Sequence, residues 1–440
     1  MSDELLALGE IVAGTDWAQA SQPQQCAVDQ GIRASLLCAL LGVEREQAVW
    51  PYRPRAADPG VFPGDTAALL GGLFAPFDGI GYLATLAGAA DLDPMDPGPS
   101  HTVLPATLAA CVARKAICGE AAGGACDDGD LGAGVLAGIE AGWRVRRAIT
   151  GARPGLGFHS PGVFGTLAAA AAAARVLRLD AARCGDAMAI ALTRASGLAV
   201  NSAASMIGMT HFGWGTLHGL EAALLAAHGW SASPDVQRAL STLFGEGNAS
   251  LDRIVGGDTS LAAATNLVFK HYPCNIYANL LVQMLEQVND SPLERIHIRM
   301  PWIPHLDCPA PRDVRQARNS VQAVAAVAGA GDTSYAAFSG PPGPWQPAQG
   351  VRRLLANIEL EMDRNAPTQL NQAVLAVRAW RGNRLVLDAQ GAMRDLKGWG
   401  SEHARRLMHG SDPHGGVDAL YAGSYLSGYA HVKARSLATG

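Results

Sequence analysis

Seven consecutive alanines, Ala168–Ala174, sit inside "SPGVFGTLAAAAAAARVL", and no other stretch restricts the fold of this chain as tightly. Alanine is the strongest intrinsic helix former, so the run predicts a helix that offers almost no side chain to its neighbours. Such a helix buries well only if other helices come unusually close. The candidates for that are also poor in large side chains: "LGAGVLAGIEAGWRVRRAIT", "AARCGDAMAIALTRASGL" and "LHGLEAALLAAHGW". Their apolar positions recur near the 3.6-residue period, and small residues dominate the faces. The segment from residue 1 to about 265 therefore reads as a packed multi-helix domain.

Beyond about residue 266 the pattern changes. "LERIHIRM" and "ANIELEMD" alternate as half-buried strands do, and "AVLAVRAWRGNRLVLDA" reads as two strands joined by a short Gly-Asn turn. Helices are expected in "CNIYANLLVQMLEQV" and, as one element, in "RDVRQARNSVQAVAAVAG". The fold class is mainly α: a large all-helical domain over 1–265, completed by about 401–440, and a smaller α+β domain over 266–400.

Nearly half of the 440 residues are apolar (49%) and 17% are charged, which suits extensive burial and argues against disorder. A net charge of -5 with no basic stripe removes nucleic acid from the expected partners. The N-terminal "MSDELLALGEIVAG" has acids where a signal peptide has basic residues, and the alanine runs are broken by Arg, Asp or Gly before reaching membrane-spanning length. Eight scattered cysteines with no Cys-x-x-Cys suit a reducing compartment. A soluble, cytoplasmic protein with no membrane partner is the expectation.

Four polar segments could carry chemistry. His159 follows a glycine-rich turn and precedes the alanine helix, where first-turn amides and the helix dipole would favour an anion; the plainer reading is a packed histidine in a turn. In "DLDPMDPGPSHTVLP", Asp91, Asp93 and Asp96 precede His101, so a carboxylate could orient an imidazole as a general acid or base; the aspartates could equally be turn formers. His211 is read in a Gly-rich loop, "GMTHFGWG", and His218 on the helix after it, as a packed or exposed residue. Lys270 lies in "FKHYPCN", where the helical texture gives way to the mixed one. No metal-ligand spacing, phosphate-binding glycine loop or serine elbow is present, so no cofactor is expected.

In that order, "DLD" and His101, "DGDLGAGVLAGIEAGWRVRRAITG", "GFHSPGVFGTLAAAAAAARVLRLD", "ASGL" and "FKHYPCN" resemble the MmgE/PrpD family, most strongly over about 85–280. The resemblance implies a helical domain with a mixed α and β lid, a homodimer, and a cofactor-independent active site between the domains. It carries catalytic roles to Asp91, His101, His159 and Lys270. It places His211, Asn275, Met95, Gly208 and Ala323 at substrate-binding positions. Four of these depart from members acting on methylcitrate or cis-aconitate: Gly208 replaces a lysine, Asn275 a histidine, Ala323 a tyrosine and Met95 a threonine. Several donors for a polycarboxylate are thereby lost.

The function expected is a cofactor-independent lyase, a dehydratase or decarboxylase, acting by proton transfer on a small carboxylate. Two alternatives stand beside it. One is an isomerase or epimerase of a specialised-metabolism intermediate, which needs the same base and acid without a leaving group. The other is a catalytically degenerate relative that binds a ligand or serves as a partner subunit.

Overall fold

The computed structural model describes residues 2–45, 81, 83–90, 92, 100–118, 126–150, 157–201, 207–257, 260–288, 290–333, 335–338, 343–368, 370, 372–396, 401–408 and 415–438. The chain divides into two compact units. One comprises Met1–Ser202, Met206–Leu267 and Gly410–Gly440; the other comprises Ala203–Ser205 and Val268–His409.

The first unit is helical. Its described helices are α1 (Asp3–Ala13), α2 (Gln22–Arg45), α3 (Ser100–Cys118), α4 (Asp128–Ala148), α5 (Ser160–Val176), α6 (Ala181–Leu192), α7 (Ile207–Ala227), α8 (Val236–Phe244) and α9 (Asp252–Val255). Aspartates open several of them: Asp127 accepts the Asp130 N–H at 2.9 Å and Asp180 the Arg183 N–H at 2.8 Å, satisfying donors that a helix start leaves over.

The alanine helix α5 is the axis of this unit. Pro161 through Ala174 are all buried, and α3, α4, α6 and α7 pack around it. Glycines make the approach possible. A Cβ added at Gly138 of α4 would lie 2.6 Å from the Ala168 carbonyl oxygen, and one at Gly142 would lie 2.9 Å from the Ala168 Cβ. The small-residue faces thus bring backbones together, as packing across Ala and Gly ridges requires. Inside the same unit Arg144 and Glu140, both essentially inaccessible, pair at 2.7 Å. Glu140 also accepts the Ala263 N–H, and Arg144 donates to the Ile254 carbonyl, so neither charge is buried without partners.

Within α2, the window Gln22–Val43 is long and apolar enough to cross a membrane by length and composition, and 72% of it is buried inside the fold. The sequence reading weighed only the alanine runs and passed over it. Its burial comes in part from α17 (Tyr425–Ala438), introduced below, which packs along α2.

The second unit is built on a four-stranded sheet of β1 (Arg295–Pro301), β2 (Ile358–Asp363), β3 (Val374–Arg381) and β4 (Arg384–Ala392), in the order β2-β1-β3-β4. β1 pairs parallel with β2 and antiparallel with β3, and β3 pairs antiparallel with β4. Ile296, Ile298 and Met300 of β1 are buried with Leu375, Val377 and Ala379 of β3, so one face of the sheet forms the core. Gly382, at φ 55°, supplies the left-handed turn of the β3–β4 hairpin.

The helices of this unit are α10 (Ile276–Glu286), α11 (Val314–Asn319), α12 (Val321–Gly329), α13 (Tyr335–Phe338), α14 (Gln349–Leu355) and α15 (Ser401–Leu407); α16 (Gly416–Ala422) and α17 belong to the first unit. α10 lies against β3 and β4. The single helix expected over "RDVRQARNSVQAVAAVAG" is instead two, α11 and α12. Ser320 takes an extended conformation between them, and its hydroxyl accepts the Ala323 N–H at 3.0 Å as the cap of α12. The protein is mainly α with a small α+β unit.

Candidate active site

His159 occupies the N-cap of α5 with extended backbone (φ -82°, ψ 127°). A short antiparallel pairing holds it there. The His159 N–H donates to the Gly197 carbonyl at 2.8 Å, the Ala199 N–H to Gly157 at 3.0 Å and the Ser196 N–H to Gly162 at 3.0 Å. Gly157 and Gly197 both take positive φ, 95° and 107°, which any other residue would adopt only with strain. Gly197 is constrained a second time, because an added Cβ would stand 3.1 Å from the His211 ring.

The anion site expected from first-turn amides is cut back. Pro161 has no N–H, and the Gly162 N–H turns back to the His159 carbonyl at 3.1 Å. His159 makes no side-chain cap bond either. Its imidazole instead meets another: His159 Nδ1 lies 3.0 Å from His211 Nδ1, with ring centroids 5.2 Å apart. Phe212 closes one side, edge to face with His159 at 5.7 Å.

His211 is not in a loop. "GMTHFGWGTLHG" lies within α7, so His211 and His218 share one helix. The glycines that suggest a loop are contact points: a Cβ at Gly215 would strike the Pro161 carbonyl of α5, and one at Gly213 would strike Thr85 and Gly81. Tertiary packing overrides their poor helix propensity. With α7 lying against α5, His211 is buried and His159 half-buried. Burial lowers the His211 pKa below the usual histidine value, favouring the neutral ring. His218, two turns on, stacks on the exposed Trp214 at 5.9 Å and has its pKa lowered by burial first and Arg194 second.

Two neutral imidazoles facing through Nδ1 share one proton: one ring donates and the other accepts. By valence the donor ring then carries a bare Nε2 and the acceptor ring an Nε2–H. The pair thus combines one basic and one acidic nitrogen, the equipment for moving a proton at a substrate carbon.

Other expected residues fall elsewhere. His101 is on α3, its side chain outside the described residues, as are Asp91 and Met95 entirely. Gly208 is buried in the first turn of α7. Lys270, Asn275 and Ala323 belong to the second unit. Lys270 is 4% exposed, unlike the solvated charge a lone lysine usually is. Asn275 caps α10, its side chain accepting the Tyr277 N–H at 3.0 Å, and its own N–H donates to the Arg318 carbonyl. Ala323, on α12, lines a small open pocket with Arg318, Val324, Phe338 and Trp345.

Two residues that the sequence reading missed hold the Lys270 turn. Asn279, fully buried, accepts the N–H groups of His271 at 2.6 Å and Tyr272 at 2.8 Å, and donates to the carbonyls of Tyr272 and Cys274. His403 of α15 donates from Nε2 to the His271 carbonyl at 3.2 Å, while Arg406 donates to its Nδ1 at 3.1 Å. Asn279 follows "KHYPCN" by only four residues, a spacing that suits a turn-to-helix clasp. His403 lies too far along the chain for any local signal. Among the described residues no group of three or more His, Cys, Asp or Glu is placed to hold a metal ion.

Residues 7–243 match the model of the MmgE/PrpD N-terminal domain. The chain belongs to the MmgE/PrpD family. Two similar proteins are cis-aconitate decarboxylases. The human one is 28% identical over 182 residues, 38% of this chain and 38% of that protein. The mouse one is 30% identical over 184 residues, 38% and 37% of the two lengths. Less than two fifths of either relative is spanned. In this MmgE/PrpD chain the matched family domain contains both His159 and His211.

Proposed function

We propose that the chain is a lyase that moves a proton on a small carboxylate substrate, as a decarboxylase or dehydratase, with His159 as the proton-transfer residue. The 3.0 Å contact between His159 Nδ1 and His211 Nδ1 carries this reading. Burial lowers the His211 pKa, so a proton gained by the pair rests on His159, and in the charged pair His159 donates its Nδ1–H to His211. Before it gains that proton, His159 presents its bare Nε2 as the base. When Nε2 takes a proton, the resulting imidazolium remains hydrogen-bonded to His211, and bonds to a charged donor are about twice as strong as neutral ones.

In dehydration His159 would remove the proton next to the carboxylate, and a second acid would protonate the leaving hydroxyl. In decarboxylation the protonated His159 would deliver its proton to the carbanion left by carbon dioxide. Family membership and the two decarboxylases support lyase chemistry. The residues that replace polar donors at Gly208 and Ala323 favour a substrate less charged than a tricarboxylate.

The test is a panel of small unsaturated and hydroxylated carboxylates, cis-aconitate included, incubated with the protein in deuterated buffer and followed by NMR. Loss of carbon dioxide with deuterium taken up at the carbon it leaves, or loss of water with the abstracted proton passing to solvent, is the expected result. His159→Gln should cut turnover by about 100-fold or more, as loss of a general acid or base does, with an unchanged melting temperature. His101→Gln and Lys270→Gln in the same assay ask whether those positions take part. Deuterium exchange without product would redirect the reading to epimerisation, and full activity of His159→Gln would overturn the role given to that residue.

A further inference from the structure

Outside the histidine pair, one cluster of reactive groups stands at the junction of α3 and α4. Cys111 lies on α3 and is buried; Cys126 is half-buried, one residue before the Asp127 cap of α4. Their thiols are hydrogen-bonded to each other. Arg114, one turn beyond Cys111, is inaccessible to solvent and points Nη1 at the Cys126 sulfur, 3.3 Å away. The same Nη1 pairs with Asp130 at 2.7 Å, which fixes the guanidinium in place. Asp130 also faces Arg178 at 3.4 Å. The sequence reading counted eight scattered cysteines and linked no two of them.

We propose that Cys111 and Cys126 form a peroxide-sensitive dithiol, in which Cys126 is the attacking sulfur and Cys111 the resolving one. The arrangement gives the two sulfurs different chemistry. Cys126 has its pKa lowered, first by the hydrogen bond from Cys111 and then by the charges of Arg114 and Arg178, against burial and Asp130. Cys111 has its pKa raised by the same hydrogen bond and by burial, so it keeps its proton and donates it. A thiolate held by a cation next to a second thiol is the arrangement of thiol redox sensors.

The chemistry balances with hydrogen peroxide as the oxidant. The Cys126 thiolate attacks one peroxide oxygen and the O–O bond breaks. The departing hydroxide takes a proton to become water, leaving Cys126 as a sulfenic acid, oxidised by two electrons. The Cys111 sulfur then attacks that sulfur, the S–S bond forms, the S–O bond breaks, and the hydroxyl leaves as water with the Cys111 proton. The disulfide would tie α3, the helix that carries His101, to the entrance of α4.

The test treats the full chain with a few equivalents of hydrogen peroxide at pH 7 and maps its peptides by mass spectrometry without reduction. A Cys111–Cys126 linked peptide, cleaved by dithiothreitol, is expected. In Cys111→Ser the resolving thiol is gone, and Cys126 should be trapped by dimedone as a sulfenic acid. The exposed Cys26 is an internal control in the unaltered protein, so the result does not depend on the variant folding. If Cys26 oxidises while Cys111 and Cys126 remain thiols, or if Cys126 pairs with any cysteine other than Cys111, the proposal is wrong.

Discussion

Acidification should weaken the second unit through His403, and the size of the effect follows from its contacts. Nε2 of His403 donates to the His271 carbonyl and Nδ1 accepts from Arg406, so the ring is held neutral in one tautomer. A proton can add only at Nδ1, where it would displace the Arg406 donor and set a cation against a guanidinium and the nearby His271 ring, 4.8 Å away. Burial first, then His271 and Arg406, push its pKa down to about 4 from an ordinary 6.5. Between those values the unfolded chain binds a proton that the folded one refuses. The His403 contribution to stability is therefore constant above about pH 6.5 and falls as pH drops towards 4, where the loss levels off. At about 1.4 kcal/mol per unit, the span of roughly 2.5 units gives a loss of about 3 kcal/mol. Urea unfolding at several pH values from 4 to 7 measures it. His211, His218 and His305 are lowered in the same direction, so the unaltered protein alone does not isolate His403. His403→Gln does, because glutamine can donate to His271 and accept from Arg406 without titrating. Its stability should decline less than that of the unaltered chain by about 3 kcal/mol over that range. Parallel curves for the two proteins would refute the reasoning.

His211→Phe keeps the ring volume and removes the acceptor for His159; a hydrogen bond to a charged group is worth about 1.5–3 kcal/mol, so turnover on whichever carboxylate proves active should fall about 10- to 150-fold with KM little changed. Steady-state kinetics check this, and a variant as fast as the original protein would show that His211 does not set the His159 tautomer. Asn279→Ala strands the N–H groups of His271 and Tyr272, at about 1–3 kcal/mol each, and should lower stability by about 2–6 kcal/mol. Denaturant unfolding reads that loss, and a change below about 1 kcal/mol would mean that water replaces the amide.

Much of the architecture was legible because its signals are local. The alternation in "LERIHIRM" and the Gly382-Asn383 turn specify β1 and the β3–β4 hairpin from neighbouring residues alone. Where the reading failed, the deciding interaction was distant in sequence. Gly213 and Gly215 look like loop residues until Thr85 and Pro161 are brought against them, and Ser320 breaks a helix that its flanking residues would continue. The histidine pair shows the same limit. His159 was singled out by its own surroundings, but its partner lies 52 residues away on a helix that had been read as a loop. The sequence analysis gave His101 a catalytic role beside it, and the His101 side chain lies outside the described residues.

The two histidine clusters also show why one of them carries a catalytic reading and the other a structural one. Around His403 both ring nitrogens meet partners whose roles are fixed: a carbonyl can only accept and a guanidinium can only donate. Adding a proton there breaks a hydrogen bond and creates a repulsion, so the ring is locked against chemistry. Between His159 and His211 each partner can donate or accept, and a proton gained at one Nε2 leaves the Nδ1 to Nδ1 bond intact. Burial biases which ring holds the charge, because His211 lies deeper than the half-buried His159. A group that can gain and lose a proton without losing its orientation is what proton transfer to carbon requires, and in this chain the small residues of α5 and α7 allow two such groups to meet.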